Sequence, residues 1–383
     1  MQTQRYYICH QRANEPSGKL CGPRSRHHRL FAGILPIASP ADEKFIIFAK
    51  EMLCFPRQGT LTHRNIMKYN FCGRSGLQLP MISLGMWHNF GDTDRYATMK
   101  EIVFGAFDKG VTHFDLANNY GPPPGSAETN FGRIMSDGLK THRDEIIVSS
   151  KAGHLMWAGP YGDGGSRKYI MASIDQSLKR TGLEYFDIFY SHRYCPETPL
   201  EETVQALVDI VKRGKALYIG LSKYPVDKAA EACRMMEEQH VRCLIYQDRY
   251  NMMSRKPEEA HLDFVKEKGM GMIAFSPLAQ GLLTNRYLDG IPSDSRVAKS
   301  GVFLHREDIT PELIGRISKL SVLARERGQS LAQMSLSWLL SKDAVTSVIA
   351  GASSLGQLYD SLRALDNLYF TSDELRRIDD ILL

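Results

Sequence analysis

From residue 67 onward, two hydrophobic patterns alternate along the chain. Short runs rich in β-branched and aromatic residues are separated by longer stretches in which apolar residues recur every three or four positions, as in Ile170–Arg180 and Leu200–Lys212. The short runs are typical of buried strands, and the longer spacing is typical of amphipathic helices. The alternation therefore predicts βα units arranged around a parallel sheet.

Eight strand candidates can be counted, with helix candidates between them and a final helix over Gln357–Leu365. The strand candidates are Ile82–Gly85, Thr112–Leu116, Glu145–Ser150, Phe186–Ser191, Leu217–Leu221, Cys243–Tyr246, Gly271–Phe275 and Ser347–Ile349. Ahead of them, Lys68–Cys72 and Leu77–Leu79 predict a small β-hairpin. Eight βα units predict an α/β fold, a (β/α)8 TIM barrel over residues 67–383. A doubly wound sheet is the alternative, but no G-x-G-x-x-G motif follows the first strand candidate.

Residues 1–66 show neither of these periods. We predict that they form a poorly ordered extension, or that they are not part of the native protein and translation begins at Met67. The basic run Arg24–Arg29 and the apolar run Leu30–Ile37 imitate part of a signal peptide. They begin too far from Met1 for that interpretation, so we expect no secretion.

The formal net charge of +5 is concentrated in the same first segment. Residues 1–66 carry a net +6, from seven arginines and three lysines against four acidic residues, which leaves −1 for the rest of the chain. A nearly neutral body argues against nucleic-acid binding, and the lack of about 18 consecutive apolar residues argues against a membrane span. The seven cysteines include no C-x-x-C pair. This favours free thiols in the reducing cytoplasm, without disulfides or a bound metal.

Four polar residues stand at the carboxyl ends of three successive strand candidates. Asp115 and Tyr120 lie at and after the second, Lys151 follows the third, and His192 follows the fourth. Catalytic groups of a (β/α)8 barrel come from these ends. Each residue alone has an ordinary structural interpretation, as a helix cap, a packed aromatic, a surface charge or a core histidine. Together, as a tetrad at one end of the barrel, they predict an active site.

The tetrad suits the reduction of a carbonyl group by hydride transfer. As hydride reaches the carbonyl carbon, negative charge grows on the oxygen, which must be protonated or stabilised. Tyr120 can supply the proton, and the Lys151 ammonium is expected to lower the pKa of that phenol. Asp115 would hold Lys151, and His192 would donate to the carbonyl oxygen and orient it.

Several segments resemble the aldo-keto reductases. They are FDLANNYGPPPGSAE at 114–128, SKAG at 150–153, GPYG at 159–162 and SHR at 191–193. The chain is most similar to the bacterial L-glyceraldehyde 3-phosphate reductase branch, which is related to the β subunits of voltage-gated potassium channels. The resemblance runs from Met67 to the C-terminus and places that family's catalytic Asp, Tyr, Lys and His on the tetrad. It implies reduction of small aldehydes or ketones, of the glyceraldehyde 3-phosphate or methylglyoxal kind.

The same resemblance implies a binding site for NADP(H). The implied cofactor contacts are Ser222, Gln247, Ser276, Leu278, Gln280, Arg286, Arg296, Ser353 and Gln357. Ser354, however, stands where this branch commonly has an arginine for the 2′-phosphate, and Asp360 and Ser361 replace the usual Glu and Asn. Because an arginine fork binds phosphate more strongly than a hydroxyl does, NAD(H) is the alternative cofactor.

Trp87, His88 and Tyr161 resemble the branch's substrate-pocket lining, and Arg167 and Arg193 are basic groups that could meet a substrate phosphate or form salt bridges. The expected partner is a small carbonyl substrate, with a second copy of the chain in a homo-oligomer as a further expectation. The alternative function is a cofactor-binding regulatory or redox-sensing subunit, like the potassium channel β subunits.

Overall fold

The computed structural model describes residues 67–293 and 304–382, and it confirms the (β/α)8 barrel. β1 (Tyr69–Phe71) and β2 (Gln78–Pro80) form the predicted antiparallel hairpin. Eight parallel strands then close a barrel in which the last strand pairs with the first. They are β3 (Ile82–Gly85), β4 (His113–Asp115), β5 (Ile147–Ala152), β6 (Phe186–Ser191), β7 (Ala216–Ser222), β8 (Cys243–Arg249), β9 (Gly271–Phe275) and β10 (Val345–Ala350).

Ten α-helices lie within the described residues. They are α1 (Tyr96–Asp108), α2 (Ser126–Ile134), α3 (Arg167–Thr181), α4 (Leu200–Lys212), α5 (Val226–Glu237), α6 (His261–Lys268), α7 (Pro311–Glu326), α8 (Leu331–Leu340), α9 (Leu355–Leu362) and α10 (Ser372–Leu382). The final predicted helix is corrected in two ways. It begins two residues earlier and turns into a 3-10 helix over Arg363–Asp366, and a further helix, α10, follows it.

Burial explains why these segments take these forms. Parallel strands are covered on both faces, so their sequences read as continuous apolar runs, and every residue of β6 and of β10 is buried. The amphipathic helices bury one face. In α4 the buried positions include Val204, Leu207 and Val208, while the acidic residues of the first turn face solvent.

Because all eight barrel strands are parallel, their carboxyl ends meet at one end of the barrel. Asp115 is the last residue of β4 and is in register with Ser149 of β5, and Lys151 is in register with Tyr190 of β6. His192 follows the last residue of β6 directly. The fold thus carries the side chains predicted for catalysis to a common rim.

Some predictions fall outside the described residues, namely those for residues 1–66 and for Arg296. Within the described ranges, no helix is both long and apolar enough to cross a membrane, and no cluster of three or more metal-ligand side chains occurs. The cysteines of the same ranges, Cys72, Cys195, Cys233 and Cys243, are free thiols.

Candidate active site

A buried ion pair lies at the centre of the site. Lys151 Nζ donates to Asp115 Oδ2 at 2.6 Å and to the Leu116 carbonyl oxygen at 2.6 Å. The two side chains are 0% and 2% exposed. Burial lowers the pKa of Lys151, while the Asp115 carboxylate and, more weakly, that of Glu128 oppose the shift. Asp115 also accepts from Ser149 Oγ at 2.8 Å, so both of its oxygens are held.

Tyr120 lies in the loop after β4, within reach of the lysine. Lys151 Nζ donates to Tyr120 Oη at 3.3 Å and lies 4.9 Å from the centre of its ring. The pKa of Tyr120 is raised well above its ordinary value, first by burial and then by the Asp115 carboxylate. This corrects the expected lowering by Lys151, because burial of the phenol outweighs the ammonium in the free protein. Tyr120 is therefore protonated at neutral pH, which is the form that can give a proton.

His192 completes the group. Its ring packs edge-on against Tyr120 at 6.0 Å and against His154 at 4.4 Å between centroids. Burial, with the charge of Lys151 next in size, lowers the pKa of His192 well below 6.5. The imidazole is neutral at pH 7, and its Nδ1 is buried without a hydrogen-bond partner among the described residues. A neutral histidine donates one hydrogen bond, as orientation of a carbonyl oxygen requires.

The predicted cofactor and substrate residues gather mostly in one cleft beside Asp115 and Tyr120. The predicted residues that line it are Trp87, His88, Ser276, Leu278, Gln280, Arg286, Ser353 and Gln357. Asp360 and Ser361 line the same cleft. Tyr161 does not: its side chain is 55% exposed, and Lys168 Nζ lies 5.2 Å from the centre of its ring.

Ser222 and Gln247, at the ends of β7 and β8, suit the amide end of a nicotinamide. Ser222 Oγ is buried and has no hydrogen-bond partner among the described residues. Such an atom normally has a partner, which a bound polar group could supply. Gln247 Nε2 donates to Asp115 Oδ1 at 3.2 Å, which fixes the amide beside the ion pair.

The loop after β9 has an unusual backbone conformation. Three non-glycine residues, Ser276, Ala279 and Gln280, have φ of 53°, 46° and 61°. Left-handed conformations of this kind are costly outside glycine, and they cluster where a loop must hold a ligand. This conformation supports the predicted contact with the phosphates of a dinucleotide.

The start of α9 forms the other end of the cleft. Gln357 Oε1 accepts from the Ser353 backbone N at 2.8 Å and from Ser353 Oγ at 2.9 Å. Ser354 Oγ accepts from the Gln357 backbone N at 3.2 Å and caps the helix. The hydroxyl of Ser354 is thus engaged with its own helix. Asp360 adds a carboxylate nearby, which accepts from Gln333 Nε2 at 2.7 Å.

Two residues that our sequence analysis missed lie beside the tetrad. Lys223 Nζ is 3.2 Å from His154 Nε2, and the His154 ring contacts His192. Within the described ranges no carboxylate lies within 4.0 Å of Lys223 Nζ. Both residues follow barrel strands, β7 and β5, so inspection of every strand end could have found them.

Comparison with known proteins agrees with this geometry. The Aldo/keto reductase family model matches residues 81–383. L-glyceraldehyde 3-phosphate reductase of Escherichia coli strain K12 is 51% identical over 319 residues, which cover 82% of this chain and 92% of that protein. A probable voltage-gated potassium channel subunit beta of Oryza sativa subsp. japonica is 35% identical, over 81% of this chain and 94% of the relative. The chain belongs to the aldo/keto reductase family and is an oxidoreductase.

Proposed function

We propose that this protein reduces small aldehydes or ketones to alcohols with NADPH, and that Tyr120 is the general acid. The observation that carries the proposal is the position of the buried Lys151 Nζ, which bridges the Asp115 carboxylate and the Tyr120 phenol beside the cleft. The same arrangement would be an expensive way to stabilise a barrel, because burying charges costs free energy that an apolar pair avoids.

A nicotinamide cofactor bound in the cleft supplies the hydride. As charge grows on the carbonyl oxygen of the substrate, Tyr120 Oη gives up its proton to that oxygen. The Lys151 ammonium stabilises the phenolate that is left, so Lys151 acts as the negative charge forms on Tyr120 Oη. Asp115 keeps the ammonium charged and in place, and the neutral His192 donates to the same substrate oxygen.

We propose that the substrate carries a phosphate group, which a basic residue beside the tetrad binds. The relative at 51% identity is an L-glyceraldehyde 3-phosphate reductase. Lys223 contacts His154, whose ring packs on His192, and has no carboxylate partner among the described residues, whereas Arg193 is paired with Asp163 at 2.9 Å. We propose that Lys223 binds the phosphate of glyceraldehyde 3-phosphate, and that methylglyoxal is an uncharged substrate that does not need it.

The proposed cofactor is NADPH, with NADH as the competitor to be tested. The cleft includes Arg286, which favours a phosphorylated cofactor, but Ser354 caps α9 and Asp360 brings a negative charge to the same end. The proposed setting is the cytoplasm, and assembly into a homo-oligomer stays a prediction.

The experiment follows NADPH and NADH oxidation by the full chain over a panel of aldehydes, including glyceraldehyde 3-phosphate and methylglyoxal. Tyr120→Phe keeps the ring and removes the hydroxyl. We expect kcat to fall about 100-fold or more, because positioned acid catalysis is typically worth that much. Tyr161→Phe is the matched control and should keep the kcat of wild type. A Tyr120→Phe variant as fast as wild type would move the acid role to another group.

A second function is favoured by one comparison, the 35% identity to a probable potassium channel subunit beta. A redox-sensing subunit would keep its cofactor bound and turn over very slowly. Single-turnover oxidation of bound NADPH followed by a negligible steady-state rate, over the whole aldehyde panel, would support this alternative against the reductase.

A further inference from the structure

A chain of buried hydrogen bonds crosses the interior of the barrel and ends on the catalytic carboxylate. Ser347 Oγ of β10 is 2.7 Å from Ser83 Oγ of β3, which is 2.8 Å from His113 Nδ1 of β4. His113 Nε2 is 3.0 Å from Ser149 Oγ of β5, and Ser149 Oγ donates to Asp115 Oδ1 at 2.8 Å. The three serines and His113 are all fully buried.

The donors and acceptors along this chain can be assigned from its end. Ser149 gives its only proton to Asp115, so it must accept from His113, which therefore carries its proton on Nε2. A neutral imidazole then accepts at Nδ1, so Ser83 donates to it and is left to accept from Ser347, whose hydroxyl also lies 3.4 Å from the Met81 carbonyl oxygen. Burial lowers the pKa of His113 to about 4, with Lys151 adding to the effect and Asp115 opposing it, so the ring is neutral at pH 7. Every donor in the chain thus points toward Asp115.

We infer that His113 is a positioning residue for the reaction: through Ser149 it fixes the Asp115 carboxylate on which Lys151 depends. The inference rests on the proposed reductase function and concerns residues that contact the tetrad from the interior of the barrel. The orientation matters because Asp115 Oδ2 must face Lys151 Nζ while the same ammonium reaches the Tyr120 phenol. A carboxylate free to rotate would hold the ammonium in more than one place, and small displacements of catalytic groups are costly.

Core packing alone gives no reason for this chain of hydrogen bonds. Four polar side chains in the interior of a barrel must satisfy one another at a cost that apolar side chains avoid. Here they are satisfied in one direction and end at the one buried carboxylate that contacts the catalytic lysine. That end point separates the chain from an incidental polar cluster.

The activity test compares His113→Leu and His113→Gln with wild type. Leucine can neither donate nor accept, so we expect kcat to fall about tenfold or more while the KM for the aldehyde changes less than about twofold. The glutamine amide has an NH₂ group that donates and an oxygen that accepts, so it should restore most of the lost kcat. His261→Leu is the matched control, because His261 is also buried and contacts a backbone carbonyl oxygen, that of Tyr224, at 3.1 Å. Its kcat should equal that of wild type.

Rates are compared at a temperature where circular dichroism shows each variant folded. A folded His113→Leu variant with wild-type kcat would overturn the inference, as would equal losses in the leucine, glutamine and His261 variants. Such losses would mean that a buried histidine is needed for packing only.

The second measurement needs no turnover. In the ¹⁵N NMR spectrum of wild type labelled with ¹⁵N-histidine, we expect His113 at pH 7 to be neutral with its proton on Nε2. Its signal is identified as the one that is missing from the spectrum of His113→Gln. A proton on Nδ1, or on both nitrogens, would reverse the chain and overturn the inference even in an active reductase. If wild type instead reduces no carbonyl compound of the panel, the proposed function fails, while the protonation of His113 still decides whether the chain points to Asp115.

Discussion

At the residue scale, Lys223 is expected to decide how well the site holds a charged substrate. Lys223→Met keeps the length of the side chain and removes its charge. Because hydrogen bonds to charged groups contribute roughly 1.5–3 kcal/mol, the KM for glyceraldehyde 3-phosphate should rise about tenfold or more. The KM for methylglyoxal, which has no phosphate, should stay within about twofold.

Steady-state kinetics with the two substrates make this comparison. Lys228→Met is the control, since Lys228 pairs with Glu231 at the surface of α5 at 2.9 Å and should change neither KM. Equal increases in KM for both substrates in Lys223→Met would mean that Lys223 contacts the cofactor or stabilises the fold and does not bind the substrate phosphate.

That the four side chains of the tetrad meet was predictable from the sequence, because these residues stand at strand ends, which a parallel barrel brings together. The pKa values of these residues were not predictable from the sequence, since the raised pKa of Tyr120 depends on how deeply the phenol is buried. His113 and Ser149 were hidden for another reason. They stand inside strand candidates, and only the register of β4 against β5 shows that they meet beside Asp115.

At the element scale, α9 carries a test of cofactor choice. Ser354→Arg restores the residue type that the family resemblance leads one to expect at this position. An arginine binds a phosphate dianion through two charge-assisted hydrogen bonds, so the ratio of kcat/KM for NADPH over NADH should rise about tenfold or more. The helix loses its cap, at a cost of about 1 kcal/mol. Ser354→Gln loses the same cap without gaining charge, and an equal ratio in both variants would contradict a phosphate contact here.

The C-terminal helix α10 shows why some elements escape sequence analysis. Only Ile378 of this helix is fully buried, and the other apolar residues that pack against the core, Leu375, Ile381 and Leu382, are partly buried. A polar contact adds to them: Arg327, just after α7, pairs with Glu374 at 2.7 Å and lies 3.6 Å from the centre of the Phe370 ring. Strands, by contrast, were predicted to within a few residues because their apolar runs are continuous.

Removal of that arginine should loosen α10 without disturbing catalysis. The Arg327 side chain is 2% exposed, so Arg327→Leu leaves Glu374 partly buried and unpaired. We expect the free energy of unfolding to fall by about 3 kcal/mol, as measured by urea denaturation. Arg376→Leu breaks an exposed pair in the same helix, with side chains 70% and 58% exposed, and should cost less than about 0.5 kcal/mol. Similar losses in the two variants would place the stability of α10 in its apolar contacts.

At the scale of the whole molecule, barrel closure turns local patterns into one site. The predicted (β/α)8 barrel implies that the last strand pairs with the first, but it does not give the register of β10 against β3, which places Ser347 next to Ser83. The interior of the closed barrel is therefore partly polar, and the layer below the catalytic rim contains a neutral histidine. This arrangement makes the stability of the fold depend on pH.

The direction of that dependence follows from the pKa of His113, which burial lowers from about 6.5 to about 4. Between these values the unfolded chain binds a proton that the folded chain excludes, so stability is highest above pH 6.5 and falls as the pH drops toward 4. For one fully buried group the loss is about 3 kcal/mol. His192, whose pKa is lowered too, acts in the same direction.

Urea denaturation at intervals between pH 4.5 and 7.5 measures this slope. His113→Gln cannot take up the proton, so its free energy of unfolding should fall less steeply on acidification than that of wild type. His240→Asn is the control, because His240 is exposed with φ of 62°, a conformation that asparagine tolerates, and its slope should equal that of wild type. If the free energy of unfolding of His113→Gln fell with pH as steeply as that of wild type, His113 would take up its proton equally in the folded and unfolded protein. The hydrogen-bond chain would then lose its single direction toward Asp115 at acid pH.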